Sequence, residues 1–203
     1  ALMPAETEHQ LDAVLGRLEQ RLDQTIQQIA GPEGLAAVVA VRELAQAAHA
    51  GRPEALPELT RTLAELTADQ RRVVARALSI FLDLANVAED RQRTRILRER
   101  ERAAHPAPRA ESIRAAVAQL AAEGLSADEL QRVLDGLNVE LVLTAHPTEA
   151  KRRSIRSKLR QVREVLQRLD EGDLLPREAA DRDAQLQAEL TKLWQTDFIR
   201  PWP

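Results

Sequence analysis

A histidine followed by proline, at the end of a short apolar run, is the part of this chain best placed to do chemistry. The run Val139-Glu140-Leu141-Val142-Leu143-Thr144 is apolar at nearly every position, β-branched at several, and lacks a helical repeat, which predicts a strand over 139–144. Pro147 pushes His146 out of the α region yet suits the first turn of a following helix, so the strand should break at Thr144 to His146 and a helix begin at once. Chemistry in β/α folds gathers at the carboxyl ends of strands, and His146 stands there beside a helix start that favours anions. With a reference pKa of about 6.5, such an imidazole suits a general base near neutral pH. The alternative for the same residue is a capping or buried, hydrogen-bonded histidine. The other three histidines are plainer: His9 and His49 fall on helices and His105 in a proline-rich linker.

Cations crowd the next helix, at Lys151, Arg152, Arg153, Arg156, Lys158 and Arg160. Helical spacing places Arg153, Arg156, Arg160 and Arg163 on one polar side, whereas Thr148 and Arg152 extend the buried stripe of Ile155 and Leu159, making Arg152 the inward arginine. At about 1.5 Å rise per residue, Arg153 lies roughly 10 Å along the axis from His146, too far for one small phosphate to bridge comfortably, so a second anion site is conceivable. Glu149, in the first helical turn, suits the helix dipole. No second carboxylate or histidine stands at ligand spacing, so a metal site complete within the chain is not expected. As a nucleic-acid patch the basic run is weak, because no aromatic residue interleaves it.

The elements that must position these residues are nearly all helical. Leu11, Leu15, Leu18, Leu22, Ile26 and Ile29 form a first stripe, ended by Gly31-Pro32, and a second helix runs from about Glu33 to Ala50. A short third helix reaches Leu66. Thr67-Ala68-Asp69-Gln70 reads as a capping box opening a long helix through Val73, Val74, Ala77, Leu78, Phe81, Leu84 and Ala85, whose end, from Glu89 to Arg102, is a solvated charged stretch. His105-Pro106-Ala107-Pro108 marks a linker, giving an amino-terminal helical region over 1–104, a linker over 105–110, and a third part over 111–203. Helices follow at about 111–123 and, from the capping box Ser126-Ala127-Asp128-Glu129, to near Gly136. After His146 come a helix striped by Ile155, Leu159, Val162, Leu166 and Leu169 and a last one with Leu186, Leu190, Leu193 and Trp194. The expected fold class is therefore mainly α, a helical bundle with one or few strands. One strand among helices has no ladder partner, so its partner is expected from polypeptide beyond this chain.

Composition removes whole classes of function. The chain has 203 residues, 44% hydrophobic and 30% charged, as in soluble globular proteins, and its net charge of -3 gives no global pull toward nucleic acid or anionic membrane. Without cysteine there are no disulfides, thiolate metal sites or cysteine nucleophiles, which fits a reducing cytoplasm. Seven glycines include no phosphate-cradling spacing, and neither a signal peptide nor an apolar run of about 20 residues is present.

The stretch Leu141-Val142-Leu143-Thr144-Ala145-His146-Pro147-Thr148-Glu149, followed by Arg152-Arg153-Ser154, closely resembles the histidine motif of phosphoenolpyruvate carboxylases. Leu84-Ala85-Asn86-Val87-Ala88-Glu89 resembles the family's helical segment before that motif, and Leu193-Trp194-Gln195-Thr196-Asp197-Phe198-Ile199-Arg200 its segment after, with Phe198 departing where acidic residues are usual. The resemblance, to bacterial members, spans about Leu78 to Pro203. It implies the amino-terminal part of a helical protein built around an eight-stranded β/α barrel, usually a cytoplasmic homotetramer. The implied reaction is anaplerotic carbon dioxide fixation: phosphoenolpyruvate and bicarbonate give oxaloacetate and phosphate, with Mg2+ or Mn2+ as cofactor. It further implies His146 as general base, and Arg152 and Arg153 as counterparts of arginines that bind an anionic effector in plant members. The family's metal-binding carboxylates lie in later sequence, so this chain alone is expected to be inactive, with no nucleic-acid or membrane partner.

Two other classes compete. A helical histidine phosphotransfer module would carry its histidine inside a continuous helix, which Pro147 disfavours. A non-catalytic helical scaffold with a basic partner-binding helix would show salt-sensitive binding. Neither accounts for three motifs in order.

Overall fold

The computed structural model describes residues 5–142, 152–170 and 174–197. These residues form seven helices: α1 (Ala5–His49), α2 (Ala55–Glu65), α3 (Ala68–Ala104), α4 (Ile113–Ala122), α5 (Ala127–Asp135), α6 (Arg153–Asp170) and α7 (Pro176–Trp194). The two helices expected on either side of Gly31-Pro32 are the halves of α1, broken at Gly31 with φ 75° and ψ 177°. The halves fold back on each other, because Arg42 in the second donates to both carboxylate oxygens of Asp23 in the first, at 3.0 and 2.8 Å. In a straight helix those residues would stand roughly 28 Å apart.

The chain divides into two compact units, Ala1–Arg91 with Lys151–Pro203, and Gln92–Ala150. The first holds the apolar core. Leu18, Leu22 and Ile26 of α1, Ile80 and Leu84 of α3, Ile155, Val162 and Leu166 of α6, and Leu186, Leu190 and Leu193 of α7 are all buried in it. α1 packs against α2 and α7, and α6 against α7. Gln187 of α7 donates to the Thr25 hydroxyl of α1 at 2.8 Å, which pairs a buried polar group inside this core.

Both expected capping boxes are present. The Thr67 N–H donates to Gln70 Oε1 at 2.9 Å and the Gln70 N–H to Thr67 Oγ1 at 3.2 Å. The Ser126 N–H donates to Glu129 Oε2 at 2.8 Å and the Glu129 N–H to Ser126 Oγ at 3.3 Å. Ser112 caps α4 by accepting from the Ala115 N–H at 3.1 Å.

The expected strand is not seen among the described residues. Residues 137–142 are in neither helix nor strand, Val139, Leu141 and Val142 are 71–80% exposed, and there is no strand among the described residues. An extended segment becomes a strand only by exchanging backbone hydrogen bonds with another, and no described segment offers that edge. Residues 143 and 144 lie outside the described residues. The fold is mainly α.

Candidate functional site

His146 lies outside the described residues, as do Thr148, Glu149 and Lys151. The structure places the residues that follow them. α6 begins at Arg153 and buries Ile155, Leu159, Val162 and Leu166 at a spacing that keeps them on one side, against α7. Arg153, Arg156, Arg160 and Arg163 are all exposed on the other side, as their spacing predicts. Of these, Arg163 pairs with Asp90 of α3 at 2.8 Å. Lys158 is half-buried and faces Glu189 of α7, a residue only 5% exposed; Lys192 pairs with one carboxylate oxygen at 2.7 Å, and Lys158 stands 4.0 Å from the other. These two lysines compensate a carboxylate that would be costly to bury alone. Lys158 therefore serves α6–α7 packing.

Arg152 and Arg153, adjacent in sequence, occupy different surroundings. Arg152 is half-buried and its Nη1 donates to the Asp197 carbonyl at 3.2 Å, whereas Arg153 is exposed. The Arg152 bond joins the stretch after His146 to the stretch after α7, 45 residues later, so two of the three segments singled out in the sequence meet there. A second arginine holds the same turn. Arg76 of α3 donates to the Thr196 carbonyl at 2.7 Å, and its guanidinium lies 5.7 Å over the Trp194 ring. Carbonyls just past a helix carboxyl terminus carry partial negative charge and lack helical partners, which suits both guanidinium groups. The third segment is core: Leu84, Val87 and Ala88 are buried in α3.

Sequence reasoning missed Arg76. Its partners lie about 120 residues away, and nothing in its own helix distinguishes it from other arginines. His105, read as an unremarkable linker residue, lines an open cleft of about 360 Å3 with Glu101, Arg102 and Arg114 in the second unit. No group of three or more metal-ligating side chains occurs among the described residues, so these residues do not fit a divalent metal site. No described helix is long and apolar enough to cross a membrane.

Comparison with known proteins follows the same residues. The profile of the family described as phosphoenolpyruvate carboxylase matches residues 11–203. Phosphoenolpyruvate carboxylase of Ectopseudomonas mendocina is 37% identical over 197 residues, covering 97% of this chain and 22% of that protein. That of Pseudomonas aeruginosa is 38% identical over 196 residues, covering 96% and 21%. That of Ralstonia nicotianae is 40% identical over 173 residues, covering 83% and 17%. The chain spans about a fifth of the length of these curated relatives. With the match running from the first half of α1 through the histidine segment to the last residue, this chain belongs to the phosphoenolpyruvate carboxylase family.

Proposed function

We propose that this chain is the amino-terminal segment of a cytoplasmic enzyme that carboxylates phosphoenolpyruvate with bicarbonate, yielding oxaloacetate and inorganic phosphate. The observation that carries the reading is the family match over residues 11–203, which includes the His146 segment and the Asp197 turn tied to Arg152. In this reading a bicarbonate oxygen attacks the phosphorus of phosphoenolpyruvate, the phosphorus bond to the enol oxygen breaks, and carboxyphosphate and pyruvate enolate form. His146 takes the carboxyl proton of carboxyphosphate as the carbon–oxygen bond to phosphate breaks, releasing carbon dioxide, and the electron pair leaves on phosphate. The enolate carbon then closes on carbon dioxide. An imidazole suits that proton because it accepts it near neutral pH without adding a fixed negative charge among anions.

The full-length enzyme would be a homotetramer built around a β/α barrel, with residues 139–144 as a barrel strand and Mg2+ or Mn2+ as cofactor. A divalent metal there would stabilise enolate charge, and its ligands would come from sequence beyond this chain. Arg152 and Arg153 form an effector site for an anion in this reading, Arg152 fixed by the Asp197 carbonyl and Arg153 open to the ligand.

The test is His146→Asn in a protein of full family length, assayed for bicarbonate-dependent oxaloacetate formation with Mg2+. The variant is expected to keep its circular dichroism and assembled size and to lose turnover. Wild-type turnover would remove His146 from the mechanism, and turnover by the 203-residue chain alone would refute its dependence on further sequence.

A further inference from the structure

α4 and α5 are patterned to bury a face and bury none. In α5, Leu130, Val133 and Leu134 follow helical spacing and Leu137 continues it, yet Val133, Leu134 and Leu137 are 53%, 51% and 64% exposed. In α4, Ile113 is 86% and Val117 40% exposed. The opposite side of α5 carries Asp128, Glu129, Arg132 and Asp135, so its exposed apolar stripe has a definite direction. Among residues 92–142 no apolar side chain is buried. A nine-residue helix with no buried face is marginal in water, and one capping box does not make it stable.

From this we infer that the apolar stripe of α5, continued by Leu137, is a docking surface for the later four fifths of a family-length polypeptide, packed within the same molecule. The inference rests on the reading above, that the functional protein has the length of its relatives. Those relatives are about five times longer than this chain, so the polypeptide needed to cover the stripe is available. Continuity points the same way. The stripe runs directly into Val139, Leu141 and Val142, which in that reading pair with later sequence, and α5 lies only a few residues from that junction. A second copy fits less well, because a helix about 13 Å long falls short of the roughly 800 Å2 per partner of a standard interface.

Hydrogen exchange measured by mass spectrometry on the 203-residue chain and on the full-length protein tests this, with Leu134→Asp made in both. Amides over 127–137 are expected to exchange freely in the short chain and at least about 100-fold more slowly in the full-length protein. Leu134→Asp should leave the melting temperature of the short chain unchanged and abolish that protection, or the fold itself, in the full-length protein. Unprotected α5 amides in wild-type full-length protein would overturn the inference. So would a lowered melting temperature of the short chain, which would mean the stripe is covered within it, or sedimentation of the short chain as a dimer that Leu134→Asp dissociates. Wild-type full-length protein that protects α5 but forms no oxaloacetate would refute the reaction and leave the docking intact.

Discussion

The Ser126–Glu129 box shows what one carboxylate does at a helix start. Glu129 accepts from the backbone N–H of Ser126 and, second in effect, from its hydroxyl, and these bonds hold the carboxyl below its ordinary range. A carboxyl with a lowered folded-state value stabilises the helix above the unfolded-state value, about 4.3, and that contribution is lost as pH falls through the lowered value. The carboxyl carbon of Glu129, followed by NMR, should therefore titrate below an ordinary glutamate, and Ser126→Ala, which removes the hydroxyl bond but keeps the larger backbone one, should raise it only part of the way; titration at the ordinary value in wild type would refute the bonds. Arg42 makes a different case. Its guanidinium grips Asp23 through two nitrogens and Glu19 through Nε at 2.6 Å, and the Asp23 hydrogen bonds are the largest cause of its raised pKa. Lysine cannot reproduce that fork, so Arg42→Lys should cost about 1–2 kcal/mol in urea denaturation, and an unchanged midpoint would show the cluster to be incidental. The two capping boxes were legible in sequence because both partners stand within one turn. The Arg42–Asp23, Arg76–Thr196 and Arg152–Asp197 contacts were not, since their partners depend on how helices fold back on one another.

At the scale of elements, the turn inside α1 depends on glycine. Gly31 combines φ 75° with ψ 177°, a region that side-chain-bearing residues almost never occupy. Gly31→Ala should therefore destabilise the chain by about 1–3 kcal/mol in urea denaturation, although alanine favours helix more. A stability equal to or above wild type would show that the break at Gly31 does not govern the hairpin. Gly34 contributes by close approach: a Cβ there would stand 2.8 Å from the Ala30 Cβ, which has no flexible end to move aside. The helices were legible because apolar spacing and caps are properties of neighbours in sequence. In α3, however, Ile80, absent from the apolar positions named for that helix, proves fully buried while Leu78 and Phe81, which are among them, are only partly so, because the neighbouring helices select which side of a long helix is covered. Residues 139–142 form no strand here for a related reason. Apolar, β-branched residues permit a strand, but a ladder needs a second edge, and no described segment supplies one, as the lone strand pattern among helices implied.

For the whole molecule, burial is divided very unequally. The first unit takes helices from both ends of the chain, and residues 18 to 41 of α1, α3 to Ala88, α6 and α7 close around one another with their largest apolar side chains buried. Residues 92–142 bury no apolar side chain at all. The same substitution made in each unit should therefore read this division. Leu190 is fully buried between helices, and Leu190→Ala removes its transfer energy and leaves a cavity, costing about 2–5 kcal/mol. Leu134, half exposed on α5, has little contact to lose, and Leu134→Ala should stay within about 0.5 kcal/mol, helped by alanine's helix propensity. Urea denaturation of the 203-residue chain, followed by circular dichroism, gives both values. If the two leucines cost the same, α5 is packed in this chain after all, and its exposed stripe could not be the surface on which later sequence docks.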